Sequence, residues 1–245
     1  MRANRRVWLG TVAAVAVAVL ALSGCSSNSP KTLSGVVGTG TLQPAAGSVM
    51  SARFEIVADP SSKALVVKLV GLKGKPKSEI DLNLSSQRVA AGDSCAPGGI
   101  TLGLGRISSK PNQSFSLPTA TAGGPSWQNP SFLRDATLTE EKLGTNCGSY
   151  LLAAYAPLKW TIGDIRPDIK VSDGGSRVGA RGTVIEENGA LRSYTVVAGD
   201  NFSSIGERFH ITVDDIYYLN PARSPSPEDP NVEIGEVLNL SKAHR

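Results

Sequence analysis

An alternation of apolar and polar residues with a period of two, between residues 33 and 169, is the feature that most restricts the fold. One stretch places Met50, Ala52, Phe54 and Ile56 at every second position. Successive side chains of a strand point to opposite faces, so this spacing predicts half-buried strands. Clusters of glycine, proline, serine and aspartate separate these stretches, as turns do. We therefore predict a mainly β domain over 33–169, with antiparallel strands in a sandwich or a barrel-like arrangement.

Other stretches of this region have the same character. We expect further strands at 63–72, 79–84, 100–107, 114–117, 150–155 and 159–162. Residues 138–143, LTEEKL, differ because glutamate, lysine and leucine all favour helix, and one helical turn is predicted there.

The first 24 residues are ordered like a secretory signal. Three arginines at positions 2, 5 and 6 precede an apolar run over 7–22, which ends at Leu22-Ser23-Gly24-Cys25. A transmembrane anchor is the alternative, but the run is shorter than the roughly 20 apolar residues that a spanning helix needs. Small residues directly before a lone cysteine favour a cleavage site instead.

This segment resembles the signal of bacterial lipoproteins, whose lipobox ends at a cysteine that becomes the acylated N-terminus. The resemblance implies that Cys25 carries a diacylglycerol and an N-acyl chain such as palmitate. The polar composition of residues 25–32 predicts a short tether after it. Two or more chains anchor a protein stably to a membrane. We expect an extracytoplasmic protein, held to the membrane by lipid and facing the cell wall.

Lipidation of Cys25 leaves Cys95 and Cys147 as an even pair in an oxidising compartment. This arithmetic predicts a disulfide between them. A catalytic thiol or a metal ligand is the weaker alternative, because neither cysteine has a histidine near it in the sequence.

The positive charge belongs largely to the signal. The chain has 25 basic and 21 acidic residues, and removal of the three signal arginines leaves 22 basic residues. The nearly neutral mature chain gives no indication of nucleic-acid binding. Residues 25–193 hold 18 basic and 13 acidic residues, whereas 194–245 hold 4 and 8. The opposite signs support two structural units.

The C-terminal part has a different periodicity. Residues 170–193 contain a Gly- and Ser-rich joint and an Asn188-Gly189 pair that favours a hairpin turn. Beyond them, Phe202, Ile205, Gly206 and Phe209 have helical spacing. The following residues predict a left-handed conformation at His210, a capping box at Thr212 and Asp215, a second helix, and a strand at 237–240. We predict a β-α-α-β unit over 194–240 and a short tail at 241–245.

The stretch YTVVAGDNFSSIGERFHITVDDIYYLNP, with IGEVLNL after it, resembles a LysM domain. The resemblance implies binding of peptidoglycan or another N-acetylglucosamine polymer in a shallow groove. One wall of the groove is the loop after the first strand and the other is the loop after the second helix. The corresponding residues are Gly199, Asp200, Asn201, Phe202, Asn220, Pro221, Ala222 and Arg223. Asn201 and Phe202 depart from the threonine and leucine usual in the family, and the loop 222–230 is longer than usual. Helix capping and loop rigidity explain Asp200 and Asn220 equally well.

A wall hydrolase delivered by such a domain is the main alternative. Both histidines, His210 and His244, lie in the C-terminal unit, so the first domain has no Cys–His, Ser–His–Asp or zinc constellation. Carboxylates alone can serve a glycosidase, and Glu140 and Glu141 are the candidates. A solvated turn explains them better. We expect no enzyme activity, no cofactor and no metal.

Residues 35–165 resemble DM13-type domains, which are extracellular β folds, through GTGTL at 38–42 and QSFSLP at 113–118. The cysteine that such domains carry in a late strand is replaced near Tyr155, so the resemblance implies no redox role and assigns no site. A third interpretation is that this domain binds a ligand or a protein, and that the LysM-like unit localises it to the wall.

Overall fold

The computed structural model describes residues 33–45, 49–62, 64–74, 79–117, 129–223 and 231–245. The predicted signal, Cys25 and the tether lie outside these ranges, as do residues 224–230 of the long loop. The described chain is mainly β, as predicted, and it has two short α-helices.

The described residues of the N-terminal unit contain ten strands. They are β1 Gly35–Thr41, β2 Gln43–Pro44, β3 Ser51–Asp59, β4 Ala64–Lys73, β5 Ile80–Ser85, β6 Thr101–Arg106, β7 Asn112–Leu117, β8 Asp135–Thr145, β9 Gly148–Pro157 and β10 Lys159–Trp160. They form two open, five-stranded antiparallel sheets with the orders β10-β1-β3-β4-β7 and β2-β9-β8-β5-β6.

The period of two in the sequence becomes a period of two in burial. Along β3, Ala52, Phe54 and Ile56 are buried, and the polar residues between them are exposed or half-buried. Ile56 of β3 and Leu82 of β5 come from different sheets and belong to the same core cluster, so both sheets contribute to one interior. Each fully buried aliphatic or aromatic side chain of this kind stabilises the fold by about 1.5–3 kcal/mol.

The prediction of a helical turn at 138–143 is wrong. These residues lie in β8, where Glu140 pairs with Ile80 on one side and with Leu151 on the other. A strand between two partners satisfies its backbone on both edges, and this tertiary pairing outweighs the weak helix preference of the residues.

The disulfide between Cys95 and Cys147 is confirmed. It joins the segment between β5 and β6 to the turn between β8 and β9, with the two Cα atoms 4.9 Å apart. The cysteines are 52 residues apart in sequence, and closing a loop of that size stabilises the fold by about 4 kcal/mol in the chain-entropy account.

The C-terminal unit, outside residues 224–230, has a three-stranded sheet and two α-helices. The strands are β11 Thr183–Glu187, β12 Ala190–Thr195 and β13 Val237–Asn239, and the helices are α1 Phe202–Phe209 and α2 Val213–Leu219. The sheet order is β11-β12-β13, so the predicted β-α-α-β arrangement gains one strand. Asn188 and Gly189 both have positive φ, 53° and 75°, as the predicted hairpin turn requires.

Residues 171–182, which we call the strap, belong to the predicted joint and run along α1. The Gly174 amide donates to the Arg208 carbonyl at 2.8 Å, and the Asn201 amide donates to the Gly179 carbonyl at 2.9 Å. The buried Arg208 guanidinium pairs with Asp173 of the strap at 2.7 Å. This part of the joint is therefore packed against the C-terminal unit.

The two units share an apolar contact. Ile165 and Ile169, which follow β10, form one buried cluster with Tyr218 and Leu219 of α2. The side-chain amide nitrogen of Asn129 donates to the Tyr218 hydroxyl at 3.1 Å. These contacts place the end of α2 and the loop after it beside the N-terminal unit.

Candidate functional site

The first predicted wall is the loop between β12 and α1. Gly199 is exposed and has a φ of 86°, which a side chain adopts only with strain. Asn201 caps α1, since its side-chain oxygen accepts the Ser204 amide at 2.9 Å. The turn therefore presents main chain to solvent at a fixed helix start.

Asp200 holds this loop in place from within. Its carboxylate accepts the Val197 amide at 2.9 Å, the Arg181 amide at 2.8 Å and the Tyr194 hydroxyl. Partial burial raises the pKa of the Asp200 carboxyl, but the hydrogen bonds from Tyr194 and the amides outweigh it and hold that pKa below its usual range. Burial, together with the bond to Asp200, raises the pKa of Tyr194 to about 12. The Asp200 carboxylate thus acts as an internal brace of the loop.

Phe202 is a core residue of this unit. It is 6% exposed, and its ring lies against Tyr217 with 5.2 Å between centroids. The Arg223 guanidinium covers it at 4.9 Å from the ring centroid. Phe202 thus offers little surface to a sugar, and its main effect is to join the two predicted walls.

The second predicted wall is the loop after α2. Asn220 caps α2 and ties it to β13: its side-chain nitrogen donates to the Asn239 carbonyl at 3.0 Å, and its side-chain oxygen accepts the Asn239 amide at 2.7 Å. Arg223 pairs with Glu236 at 2.8 Å. Pro221 is half-buried and Ala222 is exposed.

The structure brings the two walls together. Besides the contact between Phe202 and Arg223, the Val196 amide donates to the Glu236 carbonyl and the Gly235 amide to the Val196 carbonyl, both at 2.9 Å. Gly199, Asn201 and Ala222 are the predicted site residues that stay most open to solvent. A neutral surface of main-chain amides and small side chains is suited to the N-acetyl groups and faces of a saccharide.

Two segments beside the predicted walls were not predicted from the sequence. The strap reaches the first wall through Gly179 and Arg181, and residues 233–237 lie beside the second wall. No local pattern marked either contribution, because both arise from contacts between residues far apart in the chain.

Neither carboxylate considered for hydrolysis lies in the C-terminal unit. Glu140 is half-buried and Glu141 is exposed on β8. Within the described ranges, no three or more histidine, cysteine, aspartate or glutamate residues are grouped so that they could hold a metal ion. In the same part of the chain, neither helix has the length and apolar character needed to cross a bilayer.

Comparison with known proteins identifies the C-terminal unit. Residues 194–241 match the LysM domain family. No curated protein and no solved structure matches the chain. A LysM domain implies binding of N-acetylglucosamine-containing glycans such as peptidoglycan, and its action on the cell wall suggests an extracytoplasmic protein. Residues 194–241 of this chain are therefore a LysM domain.

Proposed function

We propose that this protein is a lipid-anchored, non-catalytic component of the cell envelope that binds peptidoglycan through its LysM domain. The observation that carries the proposal is the LysM domain over 194–241, whose described residues bring the two predicted walls of the groove into contact. The lipobox at Cys25 supports the anchor, and the sequence of the first domain, which lacks histidine, supports a non-catalytic role. Membrane and wall would then be joined by one chain.

The shared core of the two five-stranded sheets supports a sandwich as the arrangement of the N-terminal unit. The DM13-like resemblance of residues 35–165 stays a prediction.

The test is sedimentation of the chain from Cys25 onward with purified peptidoglycan, together with an assay for soluble fragments. We expect co-sedimentation without fragment release. Residues 194–245 hold 8 acidic and 4 basic residues, so attraction to anionic wall polymers cannot drive binding, and moderate salt should leave binding intact.

The matched variants are Ala222→Glu and Ala190→Glu, both at exposed positions. A carboxylate on the second wall must lose water when glycan binds, so Ala222→Glu should weaken binding by about tenfold or more. Ala190→Glu, in the hairpin away from both walls, should bind like the unsubstituted protein. Equal binding by the two variants would contradict this site, and release of fragments would favour the hydrolase.

A further inference from the structure

A cleft separates the LysM domain from the N-terminal unit beside the second wall. Its volume is about 780 Å³, within the range of small-molecule sites. Residues 219–223 and 233–237 line the LysM side, and Ser86, Ile100 and Arg134 contribute to the opposite side. Both structural units thus build this one cavity.

The spacing between the two sides is held by Arg245. Its guanidinium lies 4.1 Å from the ring centroid of Tyr218 and 5.5 Å from that of Phe132. Its Nε donates to the Tyr218 carbonyl at 2.6 Å, and the Arg134 guanidinium donates to the Arg245 carbonyl at 3.0 Å. Such an arginine clamp across the contact keeps the cleft pre-formed, which lowers the ordering cost of binding.

The lining combines apolar and polar groups. Ile234 is 75% exposed and Val237 is 60% exposed, so two large aliphatic side chains face water at its edge. Ser86, Arg134 and the half-exposed His244 supply hydrogen-bonding groups. A saccharide presents the matching combination, since C–H groups cover its ring faces and hydroxyl and amide groups surround its rim.

The second wall is common to the groove and the cleft. Residues 220–223 form one side of the predicted glycan groove and also line the cleft. A glycan chain that leaves the groove across Pro221 and Ala222 therefore meets the cleft next. This continuity identifies the occupant as the same polymer.

We propose that the cleft provides additional subsites for the glycan bound by the LysM domain. The N-terminal unit then contributes directly to glycan recognition through Ser86, Ile100 and Arg134. The inference rests on the proposed function. It assigns the N-terminal unit a role in selecting longer glycan chains.

The test is calorimetric titration of the chain from Cys25 onward with N-acetylglucosamine oligomers of two lengths. A disaccharide or trisaccharide fills only the groove, whereas a pentamer or hexamer reaches the cleft. We expect the longer oligomers to bind at least about tenfold more tightly.

Extra binding registers on a long oligomer also raise affinity, and the variants separate that statistical gain from contact in the cleft. Ile100→Ser and Ile234→Ser should each remove most of the gain for long oligomers, and Ile100→Ser should leave the binding of short oligomers unaffected. Val178→Ser is the matched control, because Val178 is 78% exposed on the strap, and it should keep the gain. Thermal unfolding checks that each variant is folded. If Ile100→Ser is unstable, the oligomer affinities of Ile234→Ser test the inference in its place.

Equal affinity for short and long oligomers would overturn the inference, as would a gain that survives both cleft variants. In either case short oligomers and peptidoglycan still bind, so the proposed function stands. Failure of every oligomer and of peptidoglycan to bind would overturn the proposed function and this inference together.

Discussion

At the scale of the residue, Asp200 shows how a predicted ligand contact can serve the fold. Its carboxylate accepts three hydrogen bonds from within the unit. Because folding lowers its pKa below the ordinary value of 3.8, its contribution to stability is present above that value and is lost as the pH falls through the folded pKa.

We therefore expect Asp200→Asn to lower the free energy of unfolding by about 1–3 kcal/mol at pH 7, and the difference from the unsubstituted protein to shrink in acid. Denaturant titrations at several pH values measure both effects. Glu186→Gln, at an exposed position of β11, is the control and should change stability little. A difference that persists unchanged below the folded pKa would show that the charge is not what braces the loop.

A second residue-scale prediction concerns Cys25. If it ends a lipobox, the unsubstituted protein should partition with membranes and carry acyl chains, and Cys25→Ala should be neither processed nor lipidated. Metabolic labelling with a fatty acid and mass spectrometry of the N-terminal peptide report both properties. Acylation of the Cys25→Ala protein would refute the anchor.

At the scale of the element, the strap and β11 decide where the LysM unit begins as a folding unit. Arg208 has a side chain that is 7% exposed, and it pairs with Asp173 and donates to the Ala180 and Gly182 carbonyls at 3.0 Å. A fragment that starts at residue 193 leaves this buried charge without those partners and leaves β12 without β11.

Loss of one partner from a buried ion pair costs about 3–5 kcal/mol, which a unit this small can barely tolerate. We expect a fragment of residues 171–245 to unfold cooperatively and a fragment of residues 193–245 to be largely unfolded at 25 °C. Circular dichroism with urea titration compares the two. Equal urea midpoints would mean that the strap and β11 add nothing to the stability of the fragment.

At the scale of the whole molecule, the contact between the units predicts how the chain unfolds. Ile165 is 3% exposed and belongs to the cluster with Tyr218 and Leu219. Ile165→Asp places a charge in this apolar contact and should separate the units, whereas Ile185→Asp, at a side chain that is 47% exposed, should not.

Calorimetry of the chain from Cys25 onward should show one transition for the unsubstituted protein and for Ile185→Asp, and two for Ile165→Asp. Two transitions in the unsubstituted protein would show that the units unfold independently.

The sequence by itself determined the local structure. Alternation predicted β3 and β5, Asn188-Gly189 predicted the hairpin, and Thr212 with Asp215 predicted a capping box that the structure contains. These outcomes depend on spacing within a few residues, where side-chain direction and backbone freedom dominate. The disulfide also followed, since one pair of cysteines remained.

Tertiary structure decided the rest. Residues 138–143 form a strand because β5 and β9 pair with them on either side. The strap packs against the C-terminal unit because the buried Arg208 guanidinium pairs with Asp173. Long-range contacts also separate the predicted site residues into two groups. Asp200, Phe202 and Asn220 make internal contacts that support the walls. Gly199, Asn201 and Ala222 are exposed to solvent. The cleft depends on Ile100 meeting residues more than a hundred positions away. Burial and long-range pairing depend on which distant segments meet, and a short sequence pattern does not encode that.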